Sequence, residues 1–249
     1  MRTVCASLGA FPGRTVREAM EEAKRASEPL LGPISVEEVQ LCPQNRGTLT
    51  VEVAAALRRE FPGTRFRLHA NARVAGWTPF ADASRLDRYP EYFQELWAVS
   101  MALAAPAFTW HAGGRDSADL QTVLWRTREV EDALGIPVGI EGMYPTPGDR
   151  YLLSTWAEYE ELLSSGARYA LDLSHIHIVA AREGRDDRLL TRLLECDRCL
   201  EIHLSGNDGT ADQHAQLATT PWWWELLEKH AHPGAAVFTE GNQARARFV

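Results

Sequence analysis

The sequence predicts an α/β protein of the (β/α)8 TIM-barrel class, ending without room for a full final helix. Three observations predict it. Short apolar, β-rich runs alternate with helical stretches along the whole 249 residues, no low-complexity linker breaks the alternation, and the runs number eight. An open doubly wound sheet is the alternative, but no GxGxxG follows the first run, which weakens a dinucleotide-binding reading. A chain of this length suits one barrel domain over residues 1–249.

The first strand is read at Val4 to Phe11, with a helix after it at Val16 to Arg25. Val36 to Cys42 leads to the helix Val51 to Phe61, and Phe66 to Asn71 leads to Tyr92 to Ala104. Ala107 to His111 is followed by Leu120 to Leu134, and Val138 to Met143 by Trp156 to Ser164. The sixth strand, Tyr169 to His175, precedes a helix over Leu189 to Cys196; the seventh, Leu200 to Ser205, precedes Trp223 to His230. Val237 to Asn242 closes the set, seven residues before the last. In each helical stretch apolar residues recur at spacings of three and four. The stripe Tyr92, Phe93, Leu96 and Trp97 reads as core; Trp222 to Trp224 reads as the seat of the seventh helix, with one of the three able to line the mouth.

Composition limits the partners. Lys plus Arg number 26 against 34 Asp plus Glu, a formal net charge of −8, so no broad basic face is expected and nucleic acid is disfavoured. The loops after the first three strands, around Pro12-Gly-Arg, Cys42-Pro-Gln-Asn-Arg and Ala75-Gly-Trp-Thr-Pro-Phe, offer few cations; Arg73, Arg115 and Arg150 are the nearest to the candidate site. The stretch from Met1 to Pro12 has no apolar run long enough for a signal peptide or a span, so a cytoplasmic protein with no membrane partner is expected. Cys5, Cys42, Cys196 and Cys199 are too few and scattered for a disulfide framework, and the lone CxxC at Cys196 and Cys199 reads as two structural thiols.

Chemistry is concentrated at the strand ends. A barrel strand should read as a near-continuous apolar run, yet six consecutive strands carry a ligand-type residue near their C-terminal ends: His69, His111, Glu141, Asp172, His203 and Glu240. The spacings Asp172-Leu-Ser-His175 and Asp212-Gln-His214 add three more. In a barrel all nine map to the C-terminal face, where active sites are built. Five imidazoles and four carboxylates in one pocket need cations to be electrostatically tolerable. Nine donors suit two or three metal ions with a bridging carboxylate such as Glu141, and the imidazole–carboxylate mixture suits Zn, Fe or Mn. His177, two residues beyond His175, would share its face if the strand continued; Asn71, Asn207 and Asn242 could orient ligands or bind substrate, or simply form turns.

This set, in this chain order, resembles the xylose isomerase-like TIM barrels, and within them the endonuclease IV branch that holds three metal ions. His69, His111, Glu141, Asp172, His175, His203, Asp212, His214 and Glu240 match that branch's nine ligands in type and order. Locally the text is more similar to the multinuclear non-haem iron oxygenases, which modify cysteine-containing peptides in natural-product pathways. Residues 171–180 look like that family's LDVNN(I/V)YV.A segment, and Glu201-Ile-His-Leu-Ser-Gly with Asp212-Gln-His214 looks like its EIHLAG and DTH. His175 stands where that family commonly has Asn, and Trp-His-Ala-Gly-Gly around His111 looks more like endonuclease IV.

The oxygenase resemblance implies iron, dioxygen as co-substrate, and a peptide or small-molecule substrate, with a separate partner protein presenting the peptide. The endonuclease IV resemblance implies a zinc phosphoesterase. The wider superfamily implies a sugar or keto-acid isomerase in which Glu141 and Glu240 shuttle a proton. Oxidative chemistry is the expectation from sequence, with Glu141, Glu240 and His175 as candidate catalytic residues. Metal storage is the non-enzymatic alternative.

Overall fold

In the computed structural model, which describes residues 2–74 and 81–244, eight parallel strands close into a barrel. The loop residues 75–80, Ala75-Gly-Trp-Thr-Pro-Phe, lie outside the described residues. In chain order the elements are β1 (Cys5–Ser7), α1 (Val16–Ala23), the hairpin β2 (Ser27–Glu28) and β3 (Gly32–Pro33), β4 (Ser35–Leu41), α2 (Val51–Glu60) and β5 (Arg65–His69). There follow α3 (Pro90–Leu103), β6 (Phe108–His111), α4 (Leu120–Leu134), β7 (Val138–Glu141), α5 (Trp156–Ser165) and β8 (Arg168–Asp172). The chain continues through α6 (Leu173–Glu183), α7 (Asp187–Glu195), β9 (Cys199–Leu204), α8 (Trp224–His230) and β10 (Ala236–Thr239). The hairpin stands apart; every other strand pairs in parallel with its neighbours, and β1 closes the ring between β10 and β4. Among the described residues no helix follows β10, and none is long and apolar enough to cross a membrane.

Helix starts are written locally. Thr15, Thr50, Asp119, Thr155 and Asp186 each accept a hydrogen bond from the backbone N–H three residues on, and each such cap contributes about 1 kcal/mol. The sixth strand departs from expectation: it stops at Asp172, and α6 begins where the strand was to continue through His175. The alternation His175-Ile-His-Ile mimics the period of a strand, but the Asp172 carboxylate accepts from the amides of Ser174 (2.6 Å) and His175 (3.2 Å) and turns the chain into a helix. Leu173, Ile176, Val179 and Ala180 then form its buried stripe.

Strand residues alternate between two environments. Val39, Leu41, Phe66, Leu68, Phe108, Trp110, Val138, Ile140, Tyr169, Leu171, Ile202 and Leu204 are buried and apolar or aromatic, pointing out toward the helices. Tyr169 donates its hydroxyl hydrogen to the Leu193 carbonyl of α7 at 2.7 Å, and the Trp110 indole N–H reaches Thr127 of α4 at 3.3 Å. The inward set is polar well below the rim. Gln40, Arg67, Thr109 and Glu201 are all buried and contact one another across the barrel, so its interior is not the apolar stack expected of such strands.

Candidate metal centre

Parallel strands deliver their last residues to one rim, and the residues at the ends of β5 to β8 are His69, His111, Glu141 and Asp172. His203 is the last inward residue of β9, and Glu240 follows β10 directly. His175 enters from the first turn of α6; Asp212 and His214 come from the segment between β9 and α8. The structure brings all nine together.

Glu141 stands at the middle. Its Oε2 lies 3.3 Å from His69 Nε2, 3.7 Å from His111 Nε2 and 3.6 Å from His203 Nδ1, and its Oε1 lies 3.7 Å from His175 Nδ1. His203 Nδ1 is also 3.8 Å from Glu240 Oε1, and donor atoms of Asp172, His203 and Glu240 fall within 4.8 Å of one another. A further group has His175 Nε2 at 3.5 Å from both Asp172 Oδ2 and Asp212 Oδ2, with His214 Nε2 at 2.9 Å from Asp212 Oδ2. Apart from the last, these distances are too long for good hydrogen bonds. Except at His175 Nδ1, whose hydrogen goes to the Gly142 carbonyl, they match the roughly 3.4 Å between two donors bonded at about 2.1 Å to one tetrahedral ion. Glu141 Oε2, His203 Nδ1 and Asp212 Oδ1 are buried without a hydrogen-bond partner, a costly state that a shared cation relieves.

The electrostatics among these residues point the same way. Burial alone would raise the Glu141 carboxyl, but His203, His69 and His111 hold it well below the usual carboxylate range. Burial works against a charge on His175, yet Asp172 and Asp212 push it to about 10; Asp212 and Glu240 likewise push the part-buried His214 to about 9. His69 is driven down to about 3 by burial, which outweighs Glu141. Burial lifts Glu240 to about 7 against the pull of His203 and His214. Metal ligation requires the deprotonated forms, so binding of an ion at these residues would release protons.

The backbone is committed to this arrangement. His214 has a φ of 45°, a left-handed conformation unfavourable for histidine, and its carbonyl is held by the Asn242 amide at 2.8 Å. His175 donates from Nδ1 to the Gly142 carbonyl at 2.8 Å. That turn needs glycine, since a Cβ at Gly142 would meet the Tyr159 hydroxyl oxygen at 2.1 Å.

Other expectations are corrected. His177 lies on a helix, so it does not share the face of His175; its Nδ1 accepts from the Trp222 indole at 3.1 Å. Asn207 donates to the Ser174 carbonyl at 2.8 Å and fastens a loop, while Asn71 lines the cleft over the centre. That cleft, of about 340 Å³, is also lined by Pro43, Gln44, Asp82, Met143, Tyr144 and Tyr151; none of the three tryptophans lines it. No Lys or Arg is among its described lining residues: Arg115 pairs with Glu158 at 2.6 Å, and Arg73 donates to the Pro43 carbonyl at 2.7 Å. The polar layer beneath the rim was missed by sequence reading, although Glu201 sits two residues before His203, the spacing that puts both inside.

Solved structures with this architecture cover nearly the whole chain. A D-tagatose 3-epimerase-like protein aligns with a TM-score of 0.69 at 13% identity, over 99% of this chain and 94% of its own. The chain has the fold of the xylose isomerase-like TIM barrels. Within that fold, an AP endonuclease of family 2 from Brucella melitensis aligns at TM-score 0.63 and 16% identity, over 97% and 93% of the two chains. An IOLI protein with a bound zinc atom aligns at 0.66 and 10%, over 98% and 90%. No protein-family model and no curated protein matches the sequence.

Proposed function

We propose that this xylose isomerase-like barrel is a multinuclear metal-dependent enzyme in which His69, His111, Glu141, Asp172, His175, His203, Asp212, His214 and Glu240 hold two or three divalent ions. The observation that carries it is the spacing of these donors, too wide for hydrogen bonds and right for common ions, with three buried donor atoms unpartnered. Bound ions supply Lewis acidity and neutralise negative charge on a ligand oxygen. The chain's residues arrange that chemistry. Glu141 joins the histidine-rich and aspartate-rich groups, and Glu240 lines the cleft beside His203 and His214. Tyr144, whose ring centroid is 4.7 Å from that of His175, lines the aspartate-rich side of the cleft.

Hydrolysis of a small phosphoester with zinc is the chemistry favoured by this donor set and by neighbours that include an AP endonuclease and a zinc-binding protein. The net charge of −8 favours a small substrate over nucleic acid. An epimerase or isomerase, the activity in other neighbours' names, would use Glu141 and Glu240 around one ion and leave His69, His111, His175, Asp212 and His214 without a task. A second reading has its own observation: residues 171–180, 201–206 and 212–214 resemble the iron oxygenases, and the cleft shows no cation for a phosphate among its described residues. In that reading iron and dioxygen act on a peptide, presented by a partner protein, or on a small molecule; the fold neighbours do not single it out.

Metals per chain, measured after expression with added iron and anaerobic purification, test both. Two or three zinc ions, with chelator-sensitive cleavage of bis(p-nitrophenyl) phosphate, supports hydrolysis. Two or three irons with an oxygen-sensitive Mössbauer signal supports the oxygenase. One labile manganese or magnesium would point to isomerisation, and a chain that binds no metal overturns the proposal.

A further inference from the structure

Glu201 lies on β9, two residues before His203, and is fully buried inside the barrel. Three donors converge on its Oε2: the Thr109 hydroxyl at 2.8 Å, the Gln40 amide at 2.9 Å and His203 Nε2 at 3.2 Å. Gln40 Nε2 and His203 Nε2 lie 2.9 Å apart beside that oxygen, so the place of the His203 hydrogen decides whether Nε2 donates to Glu201 or accepts from Gln40. The other oxygen faces the Arg67 guanidinium at 3.4 Å, and Arg67 is braced by Glu38 at 2.6 Å. A carboxylate beside a guanidinium is ionised and accepts only, so each group that reaches it must bring a hydrogen.

We infer that Glu201, working through Thr109, is the positioning residue that fixes which ring nitrogens His203 and His69 present to the metal centre. An imidazole that ligates an ion carries its hydrogen on the other nitrogen. Because His203 Nε2 donates to Glu201, the bare nitrogen is Nδ1, the buried and unpartnered atom that faces Glu141 and Glu240. Thr109 has one hydroxyl hydrogen and gives it to Glu201. Toward His69 Nδ1, 2.9 Å away, it therefore accepts, which puts the hydrogen on Nδ1 and leaves Nε2 bare toward Glu141. One carboxylate thus sets opposite tautomers on two histidines whose ring centroids are 4.9 Å apart, one bond directly and one through a hydroxyl. His175 is set independently by the Gly142 carbonyl and serves as an internal control.

The inference rests on the metal-centre reading, and its test separates the two. Zinc is titrated into the full chain and its Glu201→Gln, Thr109→Val and Thr109→Ser variants, and two-bond ¹H–¹⁵N correlations report the protonated nitrogen of each histidine in the zinc-loaded proteins. Wild type is expected to show His203 protonated at Nε2 and His69 at Nδ1. Glu201→Gln should weaken zinc binding by about 10- to 100-fold, the range for outer partners of metal ligands, and lose the single tautomer at both rings. Thr109→Val should disturb His69 alone, Thr109→Ser should restore it, and His175 should be unchanged throughout. If Glu201→Gln fails to fold, the two Thr109 variants still decide. Wild-type zinc binding with unaltered affinities and tautomers in the variants would overturn this inference alone; a wild type that takes up no zinc would overturn the metal reading and this inference with it.

Discussion

The two faces of β5 to β9 follow opposite rules within the same few residues. Outward, Phe66, Leu68, Phe108, Trp110, Ile140, Leu171 and Ile202 sit at full burial against the helices, where each large side chain stabilises the fold by excluding water. Inward, Arg67, His69, Thr109, Glu141, Asp172, Glu201 and His203 are as deeply buried and carry charge or hydrogen-bonding groups. Equal burial with opposite chemistry sets an apolar outer face, which stabilises the fold by excluding water, against a polar interior that leads up to the proposed metal centre. Ionic groups placed inside are costly unless each is paired or ligated.

The comparison breaks most sharply at Glu141. Glu141→Gln should remove at least one ion and lower activity by more than about 100-fold, beyond the usual cost of losing an outer partner, while the folded chain persists; elemental analysis and turnover check it. The outward counterpart is Leu171→Ala, one residue from Asp172. It should cost about 2–5 kcal/mol of stability in denaturant titrations while metal stoichiometry is kept. If Leu171→Ala lost metal first, the division between faces would be wrong.

Metal removal sharpens the same point. Chelation should lower the melting temperature of wild type, and adding back ion at about 100 times its Kd should recover about 2.7 kcal/mol; in Glu141→Gln this increment should shrink. Calorimetry with and without chelator reads it.

The smallest effect concerns Glu28, a buried carboxyl outside the metal centre. It accepts from the Thr239 hydroxyl, from the Leu217 amide at 3.2 Å and from the Gln243 amide at 3.0 Å, tying the segment after β9 to that after β10. Burial raises its pKa over the opposition of those bonds. A carboxyl raised in the folded state holds its proton there more tightly than in the unfolded chain. Its contribution is therefore most favourable at low pH and declines as pH climbs from about 4.5 through the folded-state value. Glu28→Gln should flatten that part of the stability–pH curve, measured by denaturant unfolding between pH 4 and 8.

Much of this was legible in the sequence because it depends on local rules. Strand and helix periodicities were enough to place eight strands, and a parallel barrel puts strand ends on one rim whatever the loops do, so His69, His111, Glu141 and Asp172 could be placed together. Two things escaped local reading. Residues 173–183 carry both a strand-like alternation and a helical stripe, and only the Asp172 cap decides between them. The Gln40–Glu201 bond joins residues 161 positions apart, across the barrel from β4 to β9, and no local pattern encodes it.

The sequence by itself determined the order and type of the elements and the residues offered at the rim, since periodicity and side-chain chemistry are properties of neighbours along the chain. Only the tertiary structure decided which donor faces which, that Glu141 stands between the groups, and that Glu201 underlies two histidines. Closing the sheet brings distant strands within hydrogen-bond reach, and a 3 Å relationship across a barrel exists only once the ring is closed.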